Sequence, residues 1–245
     1  MPAPRPLDVL GVPVVPFDLD RAVAYLEAAL DGEGRVQVVT ANPEFVMHAR
    51  RDRDLLAAPE GAELLVLPDG IGLVLAARLL GADLPGRARG RELVVRLAEA
   101  ATRRGLSVYL LGAREGVAVR AAEHLRQVIR GLRVAGAYAG VAEGDDDTVP
   151  RVATAEPSVL FVAYGMPKQE RWIARNLRRL PSVRVAVGVG GAFDYLAGEA
   201  KLPPEWMARL GLEWLWRLVQ EPWRWRRQVV LPLFLLLVLR ERLAR

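Results

Sequence analysis

The sequence predicts an α/β protein: a Rossmann-like, mostly parallel sheet flanked by helices, with a helical, membrane-associating C-terminal appendage. Three observations predict it. Short apolar runs alternate with helix-period segments through residues 1–200, and Gly, Pro, Asn or Asp closes nearly every run. Such alternation argues for a parallel sheet with helices on both faces. Charge then divides the chain: residues 1–200 carry 25 basic and 25 acidic side chains, whereas residues 201–245 carry nine and four, so the whole net charge of +5 lies in the tail. The organisation that follows is an α/β core over 1–200 and a basic, Trp/Arg-rich helical appendage over 201–245.

Taken in order, residues 20–30 place Val23, Leu26 and Leu30 on one helical stripe that Gly32 and Gly34 end. Residues 36–40 read as a strand running into Asn42, a helix N-cap, and Pro43, a first helical residue. A helix to about residue 58, a strand over 63–67 and a helix over 71–80 follow. A glycine- and arginine-rich loop, 81–90, precedes a helix over 92–104. Strand 107–111 turns at Gly112–Gly116 into a helix ending near 129. Strand 134–138 leads to a loop with the solvated acidic run Asp145-Asp146-Asp147. Strand 158–163 then feeds a helix over 168–180, and strand 183–189 ends in Gly188-Val189-Gly190-Gly191.

Beyond Pro204, Trp206, Trp214, Trp216, Trp223 and Trp225 are interleaved with arginines, and an apolar run, 229–239, follows. Eleven helical residues reach only about 16 Å against a hydrocarbon core of ~30 Å, and Pro232 interrupts them. Trp and Arg beside such a run suit the headgroup level of a membrane surface. The competing reading is a helical hairpin packed on the core or on a second copy.

Composition excludes several chemistries. The chain has no cysteine and only two histidines, His48 and His124, so disulfides, thiolate nucleophiles and Cys- or His-rich metal sites are out. No P-loop is present, and Phe193 stands where a dinucleotide fingerprint needs its third glycine. The first residues lack an apolar signal core, which predicts a cytoplasmic protein.

The strand ends carry the candidates. Asp69 follows Pro68 at the end of a buried strand, where ligands bind in open parallel sheets; the alternative is a turn carboxylate accepting from the next helix's amides. Thr40 and Asn42 offer neutral hydrogen-bonding groups for sugar hydroxyls or an acetamido group. Gly188, Gly190 and Gly191 form a phosphate cradle, Gly112–Gly116 a weaker one that is also a tight turn. Arg87 and Arg89 can neutralise a diphosphate, or be merely solvated. Lys168 and Gln169 can hold a diphosphate or uracil, or form a solvated helix start. With a membrane-seeking tail, the sum suits joining a soluble phosphorylated donor to a lipid-held acceptor.

Thr40-x-Asn42-x-Glu44, Pro68-Asp69-Gly70-x-Gly72, Gly165-x-Pro167-Lys168-Gln169-Glu170, Gly188-x-Gly190-Gly191-x-Phe193-Asp194 and Leu212-Glu213-Trp214…Arg217-Leu218…Glu221-Pro222 together resemble the WecG/TagA/CpsF family of bacterial glycosyltransferases, in the family's order over nearly the whole chain. The resemblance implies an inverting enzyme peripheral on the inner face of the cell membrane. It would move N-acetylmannosamine or its uronic acid from a UDP-sugar to undecaprenyl-diphosphate-linked N-acetylglucosamine, for teichoic acid, common antigen or exopolysaccharide. It also implies Asp69 as general base, Thr40, Asn42 and Arg87 in the pocket, and Gln169 on the donor side. Arg217, Arg224 and Arg227 would reach in from the appendage, and no metal or other cofactor is required. One departure is Gly90-Arg91-Glu92-Leu93, where the family often has Gly-x-Asp-Leu.

Two other classes stay open. An epimerase on the same architecture would turn over a UDP-sugar with no lipid acceptor. A non-catalytic module would dock through the tail, where the apolar run favours a membrane over nucleic acid. Donor sugar, polymer and homo-oligomeric state stay open too.

Overall fold

The computed structural model describes residues 3–222, 225 and 229–244. A hairpin opens the chain, β1 (Leu7–Val9) against β2 (Val12–Val14). It turns through Leu10 and Gly11, both at positive φ as in the type I′ turns that join two-residue hairpins, and Gly11 N–H is held by Asp8 Oδ1 at 2.8 Å. The core then runs α1 (Leu19–Asp31), β3 (Val36–Ala41), α2 (Pro43–Arg51), β4 (Glu63–Pro68), α3 (Ile71–Leu79), α4 (Gly90–Arg103), β5 (Ser107–Gly112) and α5 (Val117–Val128). It continues through β6 (Arg133–Tyr138), α6 (Asp145–Ala155), β7 (Val159–Ala163), α7 (Lys168–Asn176), β8 (Val185–Gly188) and α8 (Ala192–Leu196). The last helices are α9 (Glu205–Arg209), α10 (Glu213–Gln220) and α11 (Val230–Ala244).

Six strands form one fully parallel sheet in the order β4-β3-β8-β7-β5-β6. The inner strands β3, β8 and β7 are buried along their whole length because helices cover both faces, which is why they read as mostly apolar runs, with Gln37 and Thr40 of β3 the polar exceptions. On one face Leu26, Leu97, Leu125 and Phe193 of α1, α4, α5 and α8 share a core. On the other, the hairpin, α2, α3 and α11 form a second core, and α6 with α7 a third around Trp172. The expected α/β class and parallel sheet are observed. No helix among the described residues is long and apolar enough to cross a membrane.

Two segments differ from the sequence reading. The hairpin was not foreseen. The acidic run is no loop: Asp145, Asp146 and Asp147 form the first turn of α6, where carboxylates meet the positive end of the helix dipole. Val149 and Val152 bury that helix, and Thr148 Oγ1 donates to Gly144 O at 2.8 Å.

The C-terminal ends of β4, β3, β8 and β7 lie side by side. Glycines let their connections crowd together; a Cβ on Gly72 would stand 2.6 Å from Pro43 Cγ, so α3 packs directly on the start of α2.

Candidate active site

Asp69 is fixed where two loops meet. Its N–H donates to Ala41 O at 2.9 Å, which ties the end of β4 to that of β3. Ala88 N–H donates to Pro68 O at 2.7 Å, and Gly90 N–H donates to Asp69 Oδ1 at 2.9 Å. The arginine loop is thus folded back onto the strand end. Asp69 does not cap the helix that follows it, since α3 has no side-chain cap. Burial pushes its carboxyl up to about 6; the Gly90 N–H pulls it down, the Glu213 charge adds to the rise, and Arg87 and Arg91 oppose it. Such a group is ionised at neutral pH yet remains basic.

Around it lies a cleft of about 560 Å³ with two kinds of wall. One is cationic. Arg87, Arg89 and Arg91 converge on Glu213 of α10 at 3.4, 3.1 and 3.1 Å. Arg217 of the same helix pairs with Asp194 at 2.7 Å and Glu221 at 3.4 Å. Arg217 and Arg91 sit over the ring of Tyr195, 5.1 and 5.6 Å from its centroid. A Cβ on Gly191 would collide with Arg217 Nη1, so any larger residue there has to push that guanidinium aside. Each guanidinium has five donors, and these acidic partners do not exhaust them. The other wall is aliphatic, built by α3 and α11.

At the floor, Gln169 stitches two glycine turns. Its Oε1 accepts from Gly165 N–H at 3.1 Å and Gly190 N–H at 3.0 Å, while its Nε2 donates to Glu170 Oε1 at 2.9 Å. Gly188 leaves room for this pair, as a Cβ there would lie 2.8 Å from Gln169 Nε2. Thr40 Oγ1 donates to Gly188 O at 2.8 Å, clamping β3 to β8. Asn42 Oδ1 accepts from Phe45 N–H at 3.0 Å as the N-cap of α2, and the residue lines the cleft.

The sequence as a whole decides the lineage. The model of the glycosyl transferase WecG/TagA/CpsF family matches residues 7–245. The chain belongs to this family. It is 34% identical over 232 residues, 94% of this chain and 90% of the relative, to the N-acetylglucosaminyldiphosphoundecaprenol N-acetyl-beta-D-mannosaminyltransferase of Bacillus subtilis (strain 168). It is 33% identical over 227 residues, 92% and 88%, to the protein of the same name from Bacillus spizizenii. A Staphylococcus aureus (strain MW2) protein of that name is 29% identical over 231 residues, 94% and 90%.

Within this WecG/TagA/CpsF-family chain, Thr40, Asn42, Asp69, Arg87, Gln169, Gly190, Gly191 and Arg217 all line one cleft. Gly188 does not; it packs on Gln169, and Gly190 N–H is already taken by Gln169, so neither is free to serve the expected phosphate cradle. Gln169 is wholly buried, so the solvated helix start holds for Lys168, paired with Glu143 at 3.2 Å, and fails for its neighbour. The Gly112–Gly116 turn lies off the cleft. Arg224 and Arg227 fall outside the described residues. Sequence reasoning missed Arg91, Tyr195 and Glu213, although Arg91 and Glu213 stand inside quoted motifs. The lengthened carboxylate Glu92 faces arginines, 2.6 Å from Arg89 and 3.6 Å from Arg91. Among the described residues no group of three His, Asp or Glu side chains comes together that could hold a metal ion.

Proposed function

We propose that this chain is an inverting, membrane-associated glycosyltransferase. It moves N-acetylmannosamine from a UDP-sugar to undecaprenyl-diphosphate-linked N-acetylglucosamine, the acceptor and transferred sugar in its relatives' names. One observation carries the reading: a carboxylate near pKa 6 lies between a wall of arginines and an aliphatic wall, at the strand ends. In this mechanism Asp69 takes the proton of the acceptor sugar hydroxyl as that oxygen attacks the donor's anomeric carbon. The bond from that carbon to the diphosphate oxygen breaks on the opposite face, and UDP leaves with the electron pair. Arg87 and Arg217 balance the charge gained by the leaving group, a role that elsewhere falls to a metal. Asn42 offers its NH2 group to the acetamido oxygen.

The remainder of the appendage suits the inner membrane surface. Leu233, Leu236, Leu239 and Leu243 stand exposed on α11, in the segment that carries the net positive charge. A transfer assay tests the reading: purified full-length protein, a lipid-diphosphate-N-acetylglucosamine analogue and a panel of UDP-sugars, with and without EDTA. Product from UDP-N-acetylmannosamine, undiminished by EDTA, is expected. Turnover of a UDP-sugar without acceptor would replace the proposal with an epimerase, and transfer restored only by a divalent cation would overturn metal independence. Transfer of the corresponding uronic acid alone would reassign the donor.

A further inference from the structure

The cleft has a second half that glycosyl transfer itself leaves idle. From Asp69 the chain enters α3, whose Ile71, Leu75 and Leu79 recur every fourth residue along the cleft wall, about 12 Å of helix leading away from the carboxylate. Facing them, α11 contributes Leu231 and Leu235 to the same cleft. This second wall is anchored: Phe234 and Val238 of α11 are buried in the core of α2 and α3, and Arg242 donates to Leu79 O at 3.2 Å. Yet Leu75 and Leu235 keep 51% and 49% of their surface open. Half-exposed aliphatic side chains on two helices, turned into one concavity, are the lining of an apolar ligand site rather than the scattered leucines of an ordinary surface.

The geometry points to this α3–α11 channel as the binding site for the isoprenoid units next to the diphosphate of a polyprenyl-diphosphate acceptor. The inference rests on the acceptor class proposed above. Continuity identifies the occupant, because the channel starts at Asp69, where the acceptor sugar must lie, and Arg89 and Arg91 line the same cleft for the acceptor's own diphosphate, apart from the Arg87 and Arg217 assigned to the leaving UDP. A flat bilayer surface does not enter a concavity, and Leu233, Leu236, Leu239 and Leu243 of α11, exposed and not lining the cleft, remain for that contact.

The test compares two acceptors with the same diphosphate-N-acetylglucosamine head, one with a short water-soluble alkyl tail and one with a farnesyl tail. Leu75→Gln and Leu235→Gln keep good helix formers in place. Each should raise KM for the farnesyl acceptor roughly 10-fold, the scale of one leucine-sized apolar contact, with kcat unchanged. KM for the short-tailed acceptor should move less than about twofold. Equal changes with both acceptors, or no change with either, would overturn the channel. So would a loss that merely follows weaker sedimentation with acceptor-free anionic vesicles. Absence of transfer by the unaltered protein to both acceptors would instead remove the acceptor class, and the channel with it.

Discussion

The open cleft around Asp69 and the sealed pocket around Glu170 hold the same chemical group under the same stress. Burial pushes both carboxyls up, Asp69 to about 6 and Glu170 to about 7. Around Asp69 the stress is answered from outside, by the Gly90 N–H and by arginines on a wall that a ligand can reach. Glu170 is 1% exposed; Gln169 donates to one oxygen, the charge of Glu44 raises the carboxyl further, and Oε2 has no hydrogen-bond partner among the described residues. A raised carboxyl therefore marks chemistry only where a substrate can arrive. In the sealed pocket the same shift acts on stability, through the Gln169 contact that holds both glycine turns.

The contrast breaks most sharply at Asp69. Asp69→Asn should lower kcat by roughly 10²–10⁴, the range of general-base catalysis, while UDP-sugar affinity and thermal stability persist. The amide oxygen still accepts from Gly90 N–H, and no charge remains to be desolvated. Calorimetry and transfer kinetics on one preparation decide it, and near-normal turnover would remove Asp69 from the mechanism. Next in size is Gly191→Ala, whose new methyl collides with Arg217 Nη1 and must displace it. A roughly 10–100-fold loss of kcat/KM is expected, as for other ångström-scale misplacements.

Glu170→Gln should leave turnover within about twofold and change stability instead. The folded protein holds the Glu170 proton from the ordinary value of 4.5 up to about 7, so between those values the unfolded chain binds fewer protons and stability falls as pH rises. The variant should lose this slope and exceed the parent at pH 8 by on the order of 2 kcal/mol, read from denaturant melts at several pH values. The smallest effect is at Glu213, whose charge helps raise Asp69. Glu213→Gln should move the Asp69 limb of the rate profile to lower pH.

What the sequence disclosed follows a physical divide. Strand ends were legible because an apolar run must stop somewhere, and Asp69 and the Asn42-Pro43 cap stand at such stops. The family was legible because five short motifs occur in one order. The hairpin was not, since three-residue strands carry almost no periodicity. Pro150 and three aspartates disguised α6, although its first turn favours the acids. Gln169, second in its helix, reads as solvated; only the fold of the Gly190 turn buries it. The convergence of three arginines on Glu213 spans more than 120 residues, a contact no local pattern encodes.

The pH dependence of kcat/KM for transfer, run in parallel on the unaltered protein and Glu170→Gln, tests the central claim most directly. The account predicts a limb that rises through about pH 6 in both, because the base is Asp69 and the sealed carboxyl plays no part in the chemistry. A limb near pH 7 that vanishes in Glu170→Gln, or a profile flat through pH 6, would contradict it.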